Sequence, residues 1–287
     1  MQTFNFMPKS FEYAPVNAYW LGQMANLAYG DPATAERTVA DWGFSRFRAF
    51  TARLSVPPVD TQAFTIGSPW MIVTAFRGTE PNHFKDWLTD AKAFSVPGPG
   101  NIGRVHYGFQ SALNPVYGQI KDTITRFQDN GQTIWFAGHS LGAALAALAA
   151  RRLQLENDRY FPRGIYTYGQ PRIGDADFAA AFDKRLQSIT YRFVNNNDVV
   201  THLPPDDLLR GKLSAAILPV ALRGFRHVGQ FRYFDAQGGM HEAMTWWEQA
   251  RKAASGLIES TGMLKPGPLT DHFMASYLTK LRKNLNG

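Results

Sequence analysis

The 287-residue chain contains no cysteine. That excludes disulfides, thiolate metal sites and a cysteine nucleophile, and folding needs no oxidising compartment. Long hydrophobic runs are also missing. No apolar stretch approaches the ~20 residues of a membrane span, and the longest patch, Ser214 to Leu222, is interrupted by Pro219. The first residues, Met1-Gln2-Thr3-Phe4-Asn5-Phe6-Met7-Pro8-Lys9, lack a basic segment followed by an apolar one, so no Sec-type signal is recognised there. The expected compartment is cytoplasmic, or exported without a recognisable signal peptide; secretion is the alternative if a signal is absent from this sequence. Clustered charge is lacking as well. Basic residues are scattered and no nucleic-acid motif occurs, so no nucleic-acid partner is expected.

What is present suits a sizeable buried core, with 45% hydrophobic and 14% aromatic residues. The excess of 30 Lys+Arg over 23 Asp+Glu gives a net charge of +7. Such a surface is simply well solvated, or is drawn to anionic lipid and fatty-acid interfaces.

Hydrophobic periodicity predicts alternating helices and strands. Val16, Tyr19, Trp20, Met24, Leu27 and Ala28 recur at helical spacing until Gly30-Asp31-Pro32. Trp70 to Phe76 reads as a buried strand, and residues 108–128 as a helix despite Pro115. Strands are expected at 133–137, 164–168 and 189–194, and helices at 141–154 and 175–186, with Asp175 as a cap. Val228 to Phe234 alternates as an added edge strand. This order predicts one α/β domain over 1–287, with a mostly parallel central sheet covered by helices on both faces.

Gly138-His139-Ser140-Leu141-Gly142 sits between an expected strand and an alanine-rich expected helix. A nucleophilic serine needs a sharp strand-to-helix turn, small flanking residues, and helix amides behind it to face an oxyanion. The hydroxyl also needs a base, and the base needs a carboxylate to hold its tautomer. On such a fold the acid follows the serine in the chain and the base follows the acid. Asp198, in the Asn195-Asn196-Asn197-Asp198 loop after a strand, is the candidate acid. Of the later histidines, His202 is too close to Asp198 and His227 opens a strand. His272, in a late loop feeding a final helix, is the favoured base, with His241 as its competitor. The oxyanion donors expected are the Leu141 amide and Thr79, which follows the earlier strand.

These segments together resemble the class 3, fungal-type lipases of the α/β-hydrolase superfamily. The resemblance is carried by Thr74-Ala75-Phe76-Arg77-Gly78-Thr79, Asp86-Trp87-Leu88-Thr89-Asp90, Val105-His106-Tyr107-Gly108-Phe109 and Gly138 to Ala146. Tyr168-Gly169-Gln170-Pro171-Arg172-Ile173-Gly174, Asn195 to Val200, Leu203-Pro204-Pro205 and Arg226-His227-Val228-Gly229 complete it. It implies a Ser140, Asp198, His272 triad and Thr79 and Leu141 as oxyanion donors. It also implies a short helical lid over 80–95 bearing Phe84, Trp87 and Leu88, and an acidic support at Asp90. His106 looks structural. The implied activity is carboxylester hydrolysis through an acyl-enzyme, with no metal or organic cofactor. The implied substrate is an acylglycerol or other lipid ester at an oil–water interface. A phospholipase A1, a soluble-ester (feruloyl-type) esterase and a non-catalytic lipid- or protein-binding scaffold are the alternatives. An insertion at 206–225 and the lack of cysteine depart from the secreted fungal pattern.

Overall fold

The computed structural model describes residues 3–55, 58–78, 95–204, 224–243 and 270–286. The lid segment except Ser95, the larger part of the 206–225 insertion, and Thr79 lie outside the described residues.

Helices α1 (Pro15–Leu27) and α2 (Pro32–Asp41) precede a long antiparallel pair, β1 (Arg46–Ser55) and β2 (Pro58–Gly67). Strand β3 (Met71–Phe76) continues that sheet antiparallel to β2. The small pair β4 (Ser95–Pro97) and β5 (Arg104–His106) leads into α3 (Tyr107–Phe127). Next come β6 (Thr133–His139), α4 (Leu141–Glu156), β7 (Pro162–Tyr168), α5 (Ala176–Leu186) and β8 (Thr190–Asn195). After β8 the described elements are β9 (Gln230–Phe234), β10 (Met240–His241) and α6 (Met274–Lys283). The eight sheet strands order as β1-β2-β3-β6-β7-β8-β9-β10. From β3 through β9 they run parallel, so their carboxyl ends share one edge of the sheet.

Side chains on successive strand residues point to opposite faces, and two cores result. Ile72, Ile134, Phe136 and Ile165 pack beneath α3, α4 and α5. Val73, Trp135, Ala137, Tyr166 and Phe193 form the other core, with α1 and α6. Helix α4 lies on β3, β6 and β7 with α3 alongside, so every residue from Ala143 to Ala150 is buried. A helix buried all round needs apolar residues all round, and small ones where backbones approach closely. The alanine run is therefore a packing requirement.

Boundaries differ from the sequence reading in small ways. Trp70 lies outside β3 and is 64% exposed. Strand β9 is not the edge, because β10 pairs along its outer side. Pro115 lies well inside α3 but faces outward, where water can take the carbonyl its ring leaves unbonded. Asp175 caps α5 as expected, accepting from the Phe178 amide at 2.9 Å. No helix among the described residues is long and apolar enough to cross a membrane.

His106 caps α3: its Nδ1 accepts from the Gly108 amide at 3.1 Å while its ring packs on Phe109. Burial pushes this imidazole down to about 4. An unfolded histidine titrates near ~6.5, so below that pH the unfolded chain binds a proton that the folded chain refuses. Stability therefore falls as pH drops from about 6.5 toward about 4. His106→Gln cannot take up that proton. In urea unfolding, its stability deficit against the parent should narrow as pH falls from about 6.5 to about 4.5. A deficit that stays constant or widens would contradict burial of a neutral imidazole.

Candidate active site

Three backbone segments converge on Ser140. It links β6 to α4 with φ 58° and ψ −128°, a conformation that side-chain-bearing residues seldom hold without support. Support comes from the sheet, as the Ser140 amide donates to the Tyr168 carbonyl at 2.9 Å. It also comes from close approach. A methyl group on Gly138 would stand 2.1 Å from the Gly142 carbonyl oxygen, and one on Gly142 would stand 2.4 Å from the Phe76 carbonyl oxygen. Only glycine fits at either place. Gly78, just past β3, closes the third side: a methyl there would come within 2.7 Å of the Ser140 Cβ.

The Ser140 side chain is buried, and among the described residues its Oγ makes no hydrogen bond. The contact from Ser140 to His272 is thus not closed in this structure, as is common before a substrate binds.

Asp198 and His272 do meet. His272 Nδ1 lies 2.9 Å from each carboxylate oxygen of the fully buried Asp198. A carboxylate accepts only, so Nδ1 carries the proton and Nε2 is left as the basic nitrogen. Asp198 also accepts from the Val200 amide at 2.9 Å and the Tyr277 hydroxyl at 2.6 Å. Burial raises the Asp198 carboxyl, but the His272 charge and the hydrogen bonds from His272 and Tyr277 outweigh it and hold it below the ordinary carboxylate range. Burial and the adjacent carboxylate push the Tyr277 phenol well above its usual value, so it remains a donor.

The asparagine loop positions both partners. Asn195 Nδ2 donates to the Asp271 carbonyl at 2.8 Å, and the Asp271 carboxylate accepts from Asn196 Nδ2 and the Asn197 amide. The residue before His272 is thus held by the three residues before Asp198. Gly169, at φ 61°, lies against the pair; a methyl there would stand 2.8 Å from Asp198 Oδ2 and 2.9 Å from His272 Nδ1.

His241 goes elsewhere. It lies in β10 and pairs with Asp235 at 2.7 Å on a half-exposed surface. His202 ends the short turn after Asp198, and its carbonyl accepts from Arg172. His227 is held well below its normal value by burial and by Arg192 and Arg172. Leu141 opens α4, where its amide has no partner within the helix. Thr79, Phe84, Trp87, Leu88 and Asp90 lie outside the described residues. Among those residues no group of three His, Asp or Glu side chains is placed to hold a metal. Tyr277, Asp271 and the asparagine side chains are parts of the site that the sequence pattern does not mark. Tyr277 carries only a weak signal in the chain, an aromatic hydroxyl five positions after the favoured histidine.

Residues 73–208 match the family model described as Lipase (class 3). The secreted mono- and diacylglycerol lipase 1 of Fusarium solani is 39% identical over 141 residues, covering 47% of this chain and 39% of that protein. The Rhizomucor miehei lipase is 35% identical over 143 residues, covering 47% and 38%. The chain thus matches well under half the length of these relatives. Among solved structures, Rhizomucor miehei triacylglyceride lipase aligns with a TM-score of 0.57 at 24% identity, covering 77% of this chain and 80% of that one. Lipase II from Rhizopus niveus aligns with a TM-score of 0.56 at 26% identity, covering 76% and 79%. Residues 73–208 thus match the class 3 lipase family model, and the fold is the α/β-hydrolase fold of these solved lipases.

Proposed function

We propose that the chain hydrolyses the carboxylic esters of acylglycerols, with Ser140 as nucleophile, His272 as general base and acid, and Asp198 as the fixed anion behind it. The observation that carries this reading is the double contact of His272 Nδ1 with a buried carboxylate, beside a serine held on a strained turn. Ser140 Oγ attacks the ester carbonyl while His272 Nε2 takes its proton. The carbonyl oxygen becomes an oxyanion, received by the Leu141 amide and by Thr79. Collapse of this intermediate breaks the bond to the alcohol, which leaves with the proton from His272. Water then attacks the acyl-enzyme by the same route and frees Ser140 and the fatty acid. Asp198 stabilises the imidazolium in both halves.

The Fusarium relative is named for mono- and diacylglycerols and the Rhizomucor structure for triacylglycerides, which supports an acylglycerol as substrate. The Fusarium enzyme is also named as secreted; a chain without cysteine has no chemical requirement for either the cytoplasm or the exterior.

The roles are tested by substitution on a dissolved p-nitrophenyl ester. Ser140→Ala and His272→Ala should each lower kcat by roughly 10⁴-fold or more, with Asp198→Asn somewhat less damaging. The double variant Ser140→Ala/His272→Ala should be no worse than either single one, because residues acting as a unit do not add. His241→Ala should keep nearly full activity. Activity retained in His272→Ala and lost in His241→Ala would refute the choice of base.

Interfacial behaviour separates an acylglycerol lipase from a soluble-ester esterase. Phe84, Trp87, Leu88, Ala91 and Phe94 recur at helical spacing beside Lys85, Asp86, Asp90 and Lys92. In this reading their apolar side covers Ser140 in water and turns outward at a lipid surface. Turnover of a short-chain ester should then jump as the substrate passes its solubility limit. Trp87→Ala should blunt the jump and spare hydrolysis of dissolved ester. Smooth saturation through that limit, with Trp87→Ala matching the parent, would favour the esterase.

A further inference from the structure

Two side chains beside the nucleophile, the buried His139 and the half-buried Tyr29, have no part in the reaction just described. His139 immediately precedes Ser140, and Tyr29 lies two residues past the end of α1. His139 Nε2 lies 2.6 Å from the carbonyl oxygen of His272, and its Nδ1 lies 2.7 Å from the Tyr29 hydroxyl. The Gly78 amide donates to the same hydroxyl at 3.1 Å.

The direction of each bond follows from elementary valence. A carbonyl only accepts, so His139 Nε2 carries the hydrogen. Burial, with the nearby His272 charge, holds the His139 imidazole down to about 3, so its Nδ1 is a lone pair. Tyr29 must therefore donate to Nδ1, and its oxygen is then free to accept from Gly78. The chain reads Gly78 N–H to Tyr29 O–H to His139 Nδ1, then His139 Nε2–H to the His272 carbonyl. None of the four groups can reverse without leaving two acceptors or two donors face to face.

Resting on the ester-hydrolase reading above, we propose that Tyr29 and His139 are positioning residues. Together they form a hydrogen-bonded strut that fixes the spacing between the loop entering the oxyanion site and the backbone of the general base. One end is Gly78, which lies against Ser140 and precedes Thr79; the other is His272 itself. The strut holds the backbone of the base rather than its ring nitrogens. Its effect is on registration, where a misplacement near 1 Å costs about 10²-fold in rate. A neutral ring suits the task. The His139 and His272 ring centres are 4.7 Å apart, and a second positive charge there would oppose protonation of the base during turnover.

The test uses the full chain with Tyr29→Phe, His139→Leu and His139→Gln, whose amide can donate at one end and accept at the other. Tyr29→Phe should lower kcat on a dissolved p-nitrophenyl ester by about 10-fold, and His139→Leu by about 100-fold, each with KM within about threefold of the parent. His139→Gln should recover most of the loss seen in His139→Leu. Nitrogen-15 spectra of the parent should hold His139 as the neutral Nε2–H form down to about pH 4.5, and Tyr29→Phe should move its Nδ1 resonance toward that of an unbonded lone pair. Folded variants that keep kcat within about twofold, or that raise KM alone, would overturn the proposal. So would an Nδ1–H form of His139. Should His139→Leu fail to fold, Tyr29→Phe and the nitrogen spectra still decide. Failure of the parent to react with a fluorophosphonate at Ser140 would defeat the hydrolase reading instead, leaving the hydrogen-bond pattern to be judged by the spectra alone.

Discussion

Ser140 can hold its left-handed backbone only because the strand before it, the helix after it and the turn beyond β3 press together with no side chain between them. Around it, a methyl group on Gly138, Gly142 or Gly78 would collide with a carbonyl oxygen. From that close approach the remaining architecture follows. Helix α4 must lie directly on β3, β6 and β7, so it is alanine-rich and buried throughout from Ala143 to Ala150. Its first amides then open onto the space above Ser140, where an oxyanion would form. The parallel strands β3, β6, β7 and β8 end in register, bringing Gly78, Ser140, Gly169 and the Asp198 loop to the same edge.

The second constraint is electrostatic. A carboxylate taken wholly out of water is costly unless donors replace the lost hydration. Asp198 is fully buried, and it has donors from His272, Tyr277 and the Val200 amide. Tyr277 in turn accepts from the Asn195 amide at 3.0 Å, which ties α6 to the end of β8. The anion that orients the base is therefore also the anchor that docks the last helix. Stability and the proposed chemistry share one set of hydrogen bonds here, so substitutions at Tyr277 or Asn195 bear on both.

Much of this could be read from the chain because it is local. The elbow is a five-residue pattern with a strand before and a helix after, and Asp198 follows its strand by three residues. The choice between His272 and His241 is of another kind. Both come late in the chain, and only its path brings one onto Asp198 and the other onto Asp235. Tyr277, Asp271 and the strut from Gly78 to His272 join positions 49 or more residues apart, and nothing local announces them. The β1–β2 pair escaped for a different reason. As an edge strand, β1 is largely exposed and carries Arg46, Arg48 and Arg53, which blunt its apolar alternation while guarding the edge against pairing.

Trapping the covalent intermediate tests the central claim most directly. A slowly deacylating p-nitrophenyl ester, mixed with the protein and quenched in acid during the initial burst, should leave one acyl group per chain. Peptide mass analysis should place that group on Ser140, and His272→Ala should show no burst. An acyl group on any other residue, or turnover with neither burst nor adduct, would contradict the account.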